Sequence, residues 1–431
     1  MFDDYTEADL EAGRRALGGG GVGNKVPILV DHGVGAELYD KAGNVYIDCT
    51  AQAWSLNTGY SHPKILNAVK EVMGKYTHIR TSFETVPKLL LAKRLAELAP
   101  GDLDQVIFSL TGSDANEGAI KLAMRNRPGN TFASMFDGYH GRTLATLNLS
   151  WPHPKNRFIA WSAPIVRIPQ AYCYRCPLQL TYPQCRLACV DLAKSILQRG
   201  ASETPIALIM EPVQGNGGMV AYPTDYLPAI RKMCDDLGML LIFDEIQTGF
   251  GRLGAWFGAE LYHTIPDILV FGKAVGGGFP LFGLLYNRGM KGYEPGDHSF
   301  TFAHFPLSLA AGLATIQVIE EEKLLERSVQ MGKIITDGLW ELAKHYELIG
   351  DVRGPGLMVG VELVKNRKTK EPAREEATQF IEEGLKRGVI FGESKYLGLG
   401  NIVKIKPPLV ISESQAEKVL DVFEEILKIL S

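Results

Sequence analysis

Nothing in this 431-residue sequence commits it to a membrane, a nucleic acid or a disulfide-built secreted scaffold. No apolar run approaches the roughly 20 residues of a membrane-spanning helix. The opening MFDDYTEADLEAG is acidic and lacks the basic-then-apolar order of a signal peptide. Lys and Arg total 45 against 49 Asp and Glu, a formal net charge of −4 with no basic excess for phosphate backbones or anionic lipid. Six cysteines are too few at this length for a disulfide-dense framework. No repeat, low-complexity linker or long charge block divides the chain. What it has is 46% apolar residues punctuated by 46 Gly and 23 Pro, which excludes disorder. A soluble, cytoplasmic protein of two or three domains is expected, because a single core stops growing near ~250–300 residues.

A P-loop is missing too. The glycine run Gly18–Gly23 is followed by Asn24 and Lys25, not by Gly-Lys-Ser/Thr, and reads as a loop. The middle of the chain repeatedly joins a short apolar strand to a helix. VIFSL (106–110), ALIM (207–210), MLLIFD (239–244) and DILVFG (267–272) are the strands, with helical patterns such as Glu117–Arg125 and Tyr226–Leu237 between them. Continuous apolar runs of this length suit strands buried on both faces, and the alternation predicts an α/β domain with a mostly parallel sheet over residues 70–309. Residues 306–346 read as two helices, GLMVGVELV (356–364) and IVKIK (402–406) as strands, and the last helix opens on a Ser414/Glu417 capping box. These features predict a smaller α+β domain formed by residues 310–431 with the N-terminal segment 1–69.

Four segments carry chemistry. Asp244 ends an apolar strand and is followed by Glu245; a magnesium-binding Asp-Glu would need the Walker A sequence that is absent. Lys273 ends the next strand before a glycine run, an unusual place for a lysine and one where burial lowers its pKa toward Schiff-base chemistry. LTGSDANEGAIKLAMR (110–125) places free backbone N–H groups at a helix start, where an anion can bind; the plainer reading is an ordinary helix capped by Ser113 or Asp114. DGYHGRTLAT (137–146) brings an aromatic, an imidazole and a guanidinium together. A phosphorylated, aromatic, carbonyl-bearing cofactor uses such a set, and pyridoxal phosphate needs a lysine for its aldehyde and a carboxylate for its pyridinium nitrogen.

Through TGSDANEGA, YHGRT, EPVQGNGG (211–218), FDEIQTGFGR (243–252), FGKAVGGGFP and the C-terminal KPPLVIS, the chain resembles the class III pyridoxal-phosphate aminotransferases of the ornithine and 4-aminobutyrate type. The resemblance implies fold type I and an obligate homodimer with a shared site, with a tetramer as a further assembly. By position, Lys273 is similar to the Schiff-base lysine and Asp244 to the pyridinium partner. Gln247 corresponds to the residue bonding the ring hydroxyl, Gly112 and Ser113 to the phosphate loop, and Tyr139 to the stacking aromatic. Glu211 falls among the cofactor-binding positions, and Thr301 matches a threonine that reaches the neighbouring subunit's cofactor phosphate. Trp54, Arg142 and Lys404 match substrate positions. The implied activity moves an amino group from an amino acid or amine to a 2-oxo acid; racemases, epimerases and ammonia- or phospho-lyases of the same fold start from the same lysine.

Several positions depart from that pattern. Asn216 and Lys404 stand where many members pair Glu with Arg to gate the substrate carboxylate, and an ammonium lacks the bidentate fork of Arg. His304 precedes Phe305 where Asn-Pro is usual. An insertion at 171–190 carries Cys173, Cys176, Cys185 and Cys189 as C-x2-C-x8-C-x3-C, a spacing open to a structural zinc, to disulfides or to four free thiols.

Overall fold

The computed structural model describes residues 5–17, 26, 28–150, 164–394 and 400–430; the glycine run 18–23 lies outside them. Seven strands form the central sheet in the order 105–109, 282–286, 268–271, 240–244, 207–210, 132–135, 165–168. The five from 268–271 onward are mutually parallel, and only Phe282–Tyr286 runs antiparallel to both of its neighbours. Ala207–Met210, Leu240–Asp244 and Ile268–Phe271 are buried at every position, as two-sided coverage by helices requires. The helices Gly112–Asn126 and Tyr226–Leu237 follow their strands, so the carboxyl ends of the parallel strands all open on one edge.

Two further sheets of more than two strands lie beyond this one among the described residues. Val30–Val34, Glu37–Asp40 and Val45–Asp48 form a meander to which Val389–Ile390 adds in parallel, joining the beginning of the chain to its last quarter. Ile349–Arg353, Val359–Asn366, Ile402–Ile405 and Gly392–Ser394 pair antiparallel. The helices Pro63–Met73 and Pro306–Glu321 run through residues 69–70 and 309–310 and pack on one another. Arg252 fastens these parts together. Its fully buried guanidinium donates to the carbonyls of Leu357 (2.9 Å) and Pro407 (2.6 Å) and to Asn57 Oδ1 (2.5 Å).

Two caps differ from expectation. The helix at 112 is capped by Thr111, whose Oγ1 accepts from Asp114 N at 3.2 Å while Asp114 accepts from Thr111 N at 2.7 Å; neither Ser113 nor Asp114 is the cap residue. At the last helix, Ser412 Oγ accepts from Gln415 N and Gln415 Oε1 accepts from Ser412 N, two residues before the expected Ser414/Glu417 box. A glutamine serves the reciprocal bond as well as a glutamate.

The segment Ala51–Trp54 is the least expected local structure. Four consecutive non-glycine residues hold φ of 43°, 43°, 58° and 75°, a left-handed turn that costs L-residues roughly 1–2 kcal/mol each. Asp48 pins it from within. Its carboxylate accepts from Thr50 N (2.7 Å), Thr50 Oγ1 (2.5 Å), Gln52 N (3.2 Å) and Tyr60 Oη (2.8 Å). The turn delivers the Trp54 ring to a buried position. Ala53 is exposed, so Ala53→Gly is expected to raise the thermal midpoint, opposite in sign to the ~1 kcal/mol loss the same change causes in a right-handed helix. Calorimetric unfolding of the two proteins checks the sign.

Candidate active site

The segments singled out in the sequence converge on one cavity of about 150 Å³ at the carboxyl edge of the sheet. It is lined by Thr111–Ser113, Asn116, Tyr139–Gly141, Asp244, Ile246, Gln247, Lys273 and Phe282. Asp244 and Lys273, 29 residues apart, meet because Leu240–Asp244 and Ile268–Phe271 are adjacent parallel strands ending together. Lys273 takes φ of 51°, a left-handed position at the strand end. Glycine precedes it because a Cβ at 272 would come within 2.0 Å of the Phe282 ring. Burial lowers the Lys273 pKa to about 8, with Asp244 and Glu211 offsetting part of the effect. A larger share of neutral amine is available there than at any solvated lysine.

Asp244 is oriented by residues the sequence reading did not assign. Its Oδ2 accepts from Asn116 Nδ2 at 2.8 Å and pairs with His140 Nδ1 at 2.9 Å, while Oδ1 accepts, among the described residues, only from Ile246 N at 3.2 Å. Asn116 also donates to the His140 carbonyl at 2.8 Å, so the helix, the loop and the strand end are locked as one unit. Both residues lie inside motifs already noted, but nothing in their spacing reveals that they share a carboxylate.

The anion end is the start of the helix Gly112–Asn126. Thr111 and Asp114 satisfy each other, which leaves the Gly112 and Ser113 N–H groups for a ligand. Ser113 Oγ accepts from Arg142 N at 2.9 Å, tying the loop to the helix start; at Gly141, with φ of 140°, a Cβ would stand 2.4 Å from that hydroxyl. Gln247 Oε1 is buried without a hydrogen-bond partner among the described residues. Gly215 makes room for it, since a Cβ there would lie 2.0 Å from that oxygen.

The remaining predicted residues sit around the cavity. Glu211 does not line it. Its carboxylate accepts from Tyr139 N and Gly215 N, both at 3.0 Å, and burial pushes its pKa up to about 7. The Arg142 guanidinium lies 5.0 Å from the Tyr139 ring centre. Trp54 adjoins the cavity through Gly215, whose Cβ position is 3.3 Å from its ring. Lys404 is buried on the strand Ile402–Ile405, and Asn216 offers its carbonyl to Ser394 Oγ at 2.6 Å; no hydrogen bond joins Asn216 to Lys404. Thr301 is exposed, between the exposed rings of Phe300 and Phe302, and does not line this chain's own cavity. His304 also lies outside the lining. It faces the Thr81 carbonyl at 3.3 Å and packs edge-on to Phe108, and burial holds its pKa down at about 4.

The cysteine segment requires a correction. Among the described residues no three His, Cys, Asp or Glu side chains converge as a metal-ligand set, and all six cysteines are free. Cys173, Cys176, Cys185 and Cys189 do border one small apolar space, with Leu178, Leu180 and Leu187. In the absence of a metal, burial pushes Cys189 up to about 11 and raises Cys173, so these two stand as thiols.

Opposed pKa shifts give a testable pH dependence. Burial raises Glu211 and Glu245 to about 7 and Asp137 to about 6, so the folded chain binds more protons than the unfolded one between about pH 4 and 7. Their favourable contribution is present below pH 4 and lost as pH rises through 7. Lys273 and Lys404 are lowered to about 8, so their contribution is present above pH 10.5 and lost as pH falls through 8. The lysine part is isolated by comparing Tm of the cofactor-free parent with that of Lys404→Met from pH 7 to 10.5. The parent is expected to gain on the variant as pH rises from 8 to 10.5, while the buried cysteines and tyrosines, whose pKa values burial raises, cancel in the difference. A difference that stays constant over that range would contradict the lowered Lys404 value.

The donor set fits pyridoxal phosphate. Gly112 and Ser113 N–H groups suit its phosphate, Asp244 Oδ1 the ring nitrogen, the orphaned Gln247 Oε1 the ring hydroxyl, Tyr139 the ring face and Lys273 the aldehyde. Known proteins agree with this chemistry. The profile described as Aminotransferase class-III matches residues 21–427. A leucine/methionine racemase of Thermococcus litoralis is 35% identical over 405 residues, 93% of this chain and 90% of that protein. A 5-aminovalerate aminotransferase of Pseudomonas aeruginosa is 35% identical over 434 residues, 97% of this chain and 98% of that protein. The solved structure of a Bacillus anthracis aminotransferase superposes with a TM-score of 0.90 at 29% identity, covering 98% of each chain. The architecture is the α/β fold type I arrangement with its mostly parallel central sheet. The chain belongs to the class III aminotransferase family, whose expected cofactor is pyridoxal phosphate.

Proposed function

We propose that this enzyme moves an amino group from an amino acid or amine to a 2-oxo acid with pyridoxal phosphate held in the cavity between Asp244 and Lys273. The observation that carries the reading is a half-buried amine with a lowered pKa at one strand end, lining the same cavity as an oriented carboxylate and a helix N-terminus. When bound, the cofactor supplies an electron sink for the charge that develops at the substrate Cα. Lys273 Nζ would hold the aldehyde carbon and, once released by the substrate amine, would be placed to move the Cα proton. Asp244 Oδ1 would face the ring nitrogen, and Asn116 and His140 keep the carboxylate from rotating away.

The same reading makes the enzyme a homodimer with a shared site. Thr301, on the surface between two exposed aromatic rings, is supplied to the other subunit. Six free thiols suit a reducing, cytoplasmic setting. Among the described residues no helix is long and apolar enough to cross a membrane.

Racemisation is the second reading, favoured by the changed pair Asn216 and Lys404 and by the relative named a racemase. An amine panel in deuterated water, with and without a 2-oxo acid, separates the readings. Acceptor-dependent oxo product is the expected result. Deuterium at Cα with loss of optical purity and no oxo product would instead establish a racemase, and acceptor-independent ammonia a lyase.

A further inference from the structure

The strands Ile349–Arg353 and Val359–Asn366 hold a buried ionic cluster that the reaction leaves unused. Arg353, its side chain 10% exposed, donates from Nη1 to Asp351 Oδ2 (2.7 Å) and Glu362 Oε2 (2.8 Å) and from Nη2 to Tyr172 Oη (2.7 Å). Its Nε donates to the Gly218 carbonyl at 2.9 Å. Glu362 is fully buried and also accepts from Tyr172 Oη and Arg175 Nε. Replacing such buried ion pairs by apolar side chains of similar volume often costs nothing, so stability alone is a weak reason for the cluster. The best-attested use of such groups is to fix a register. Here one bond leads out of the cluster, from Arg353 Nε to Gly218.

Gly218 ends the loop 211–218 that borders the cofactor cavity. Its N–H and that of Met219 close a turn on the Gly215 carbonyl, at 3.3 and 3.4 Å. Gly360, paired with Arg353 across the sheet, is where the sheet presses on this turn: a Cβ there would lie 2.8 Å from Met219 Cβ and 3.1 Å from the Gly218 oxygen. Ser394 of the same sheet holds the middle of the turn through the Asn216 carbonyl at 2.6 Å. At the near end Gly215 faces Gln247 Oε1, and a Cβ at Gly217 would stand 3.0 Å from the Asp137 carbonyl. Glu211 ties Gly215 N to Tyr139 N. The turn thus lies between Gln247, whose orphaned oxygen suits the ring hydroxyl, and the loop that carries Tyr139.

We propose that Arg353 is a positioning residue for the cofactor: through Gly218 it sets where the turn 215–218 stands, and so the room left for Gln247, while Tyr172 and Glu362 aim its guanidinium. A lysine would keep the charge but not the planar fork, and one nitrogen cannot serve Gly218 and both carboxylates. Tyr172 and Arg175 reach the cluster from the segment 171–190, which gives that insertion a use. The inference rests on the pyridoxal phosphate reading of the cavity.

The test is cofactor release from the holoenzyme after dilution, followed by the fluorescence of bound cofactor, with kcat, KM and Tm of the same preparations. Arg353→Lys should release cofactor at least about fivefold faster and lower kcat by a similar factor, with KM moved less than about twofold, as for one lost charge-assisted hydrogen bond felt through a loop. Tyr172→Phe keeps the Gly218 bond but removes one partner of the guanidinium, and should give a smaller change in the same direction; it also carries the comparison if Arg353→Lys folds poorly. Arg175→Ala is the control for a merely structural role. It takes one bond from Glu362, leaves every bond of Arg353 in place, and should lower Tm without changing release. Parental release rates in both Arg353→Lys and Tyr172→Phe, or release raised equally in Arg175→Ala, would overturn the proposal while leaving the cofactor reading intact. A parent protein that retains no pyridoxal phosphate would refute that reading and this inference together.

Discussion

Lys273→Ala is expected to lower both half-reactions by at least about 10⁴-fold while leaving the fold intact, because one amine serves as covalent anchor and proton carrier. Lys273 Nζ makes no hydrogen bond to another described residue, so its loss leaves no buried partner unsatisfied and Tm should move little. Lys273→Arg should not restore turnover, since a guanidinium stays protonated and cannot be nucleophile or base. Single-turnover absorbance with substrate amine checks both variants. Activity within tenfold of the parent in either would remove Lys273 from the chemistry.

Asp244→Asn should cost about 10²–10³ in the proton-transfer step, the usual size of losing one preorganised charge aimed at developing charge. The surroundings sharpen the effect. Asn116 Nδ2 already donates to Oδ2 and needs an acceptor there, so the new amide turns its oxygen toward Asn116 and presents its NH₂ to the cofactor nitrogen. That nitrogen then meets a donor where it needs an acceptor, and electron withdrawal fails although the cofactor can still bind. Asn116→Ala, which frees the carboxylate to rotate without removing it, should give a smaller loss of the same kind. Stopped-flow rates of Cα deuterium exchange compare the three proteins. Equal losses in Asp244→Asn and Asn116→Ala would show that orientation, not the carboxylate, is the essential property.

How legible the site was depended on whether the information was local. Leu240–Asp244 and Ile268–Phe271 could be read from continuous apolar runs, and with them the meeting of Asp244 and Lys273, because adjacent parallel strands bring their ends together. The antiparallel strand Phe282–Tyr286 gave a weaker signal. Gly283 interrupts it because its Cα passes so near the Ile107 carbonyl that a Cβ would lie 2.3 Å away. The left-handed turn at Ala51–Trp54 had no local signature at all, since no glycine marks it and its stabilisation comes from the Asp48 bonds. Asn116, His140 and Asp244 are separated by 24 and 104 residues along the chain, and only the folded sheet edge shows that they share one carboxylate. The cysteine spacing allowed three outcomes. Spacing permits ligation, but only the folded chain shows that the four thiols border one apolar space without converging as a ligand set among the described residues.

The central claim is covalent: the Nζ of Lys273 bonds to the aldehyde carbon of pyridoxal phosphate. Borohydride reduction of the purified enzyme after incubation with that cofactor, followed by peptide mass spectrometry, tests it most directly. The account predicts one stable adduct per chain, on the peptide holding Lys273 and absent from Lys273→Ala. An adduct on Lys404 or Lys406 instead, or no adduct at all, would contradict it.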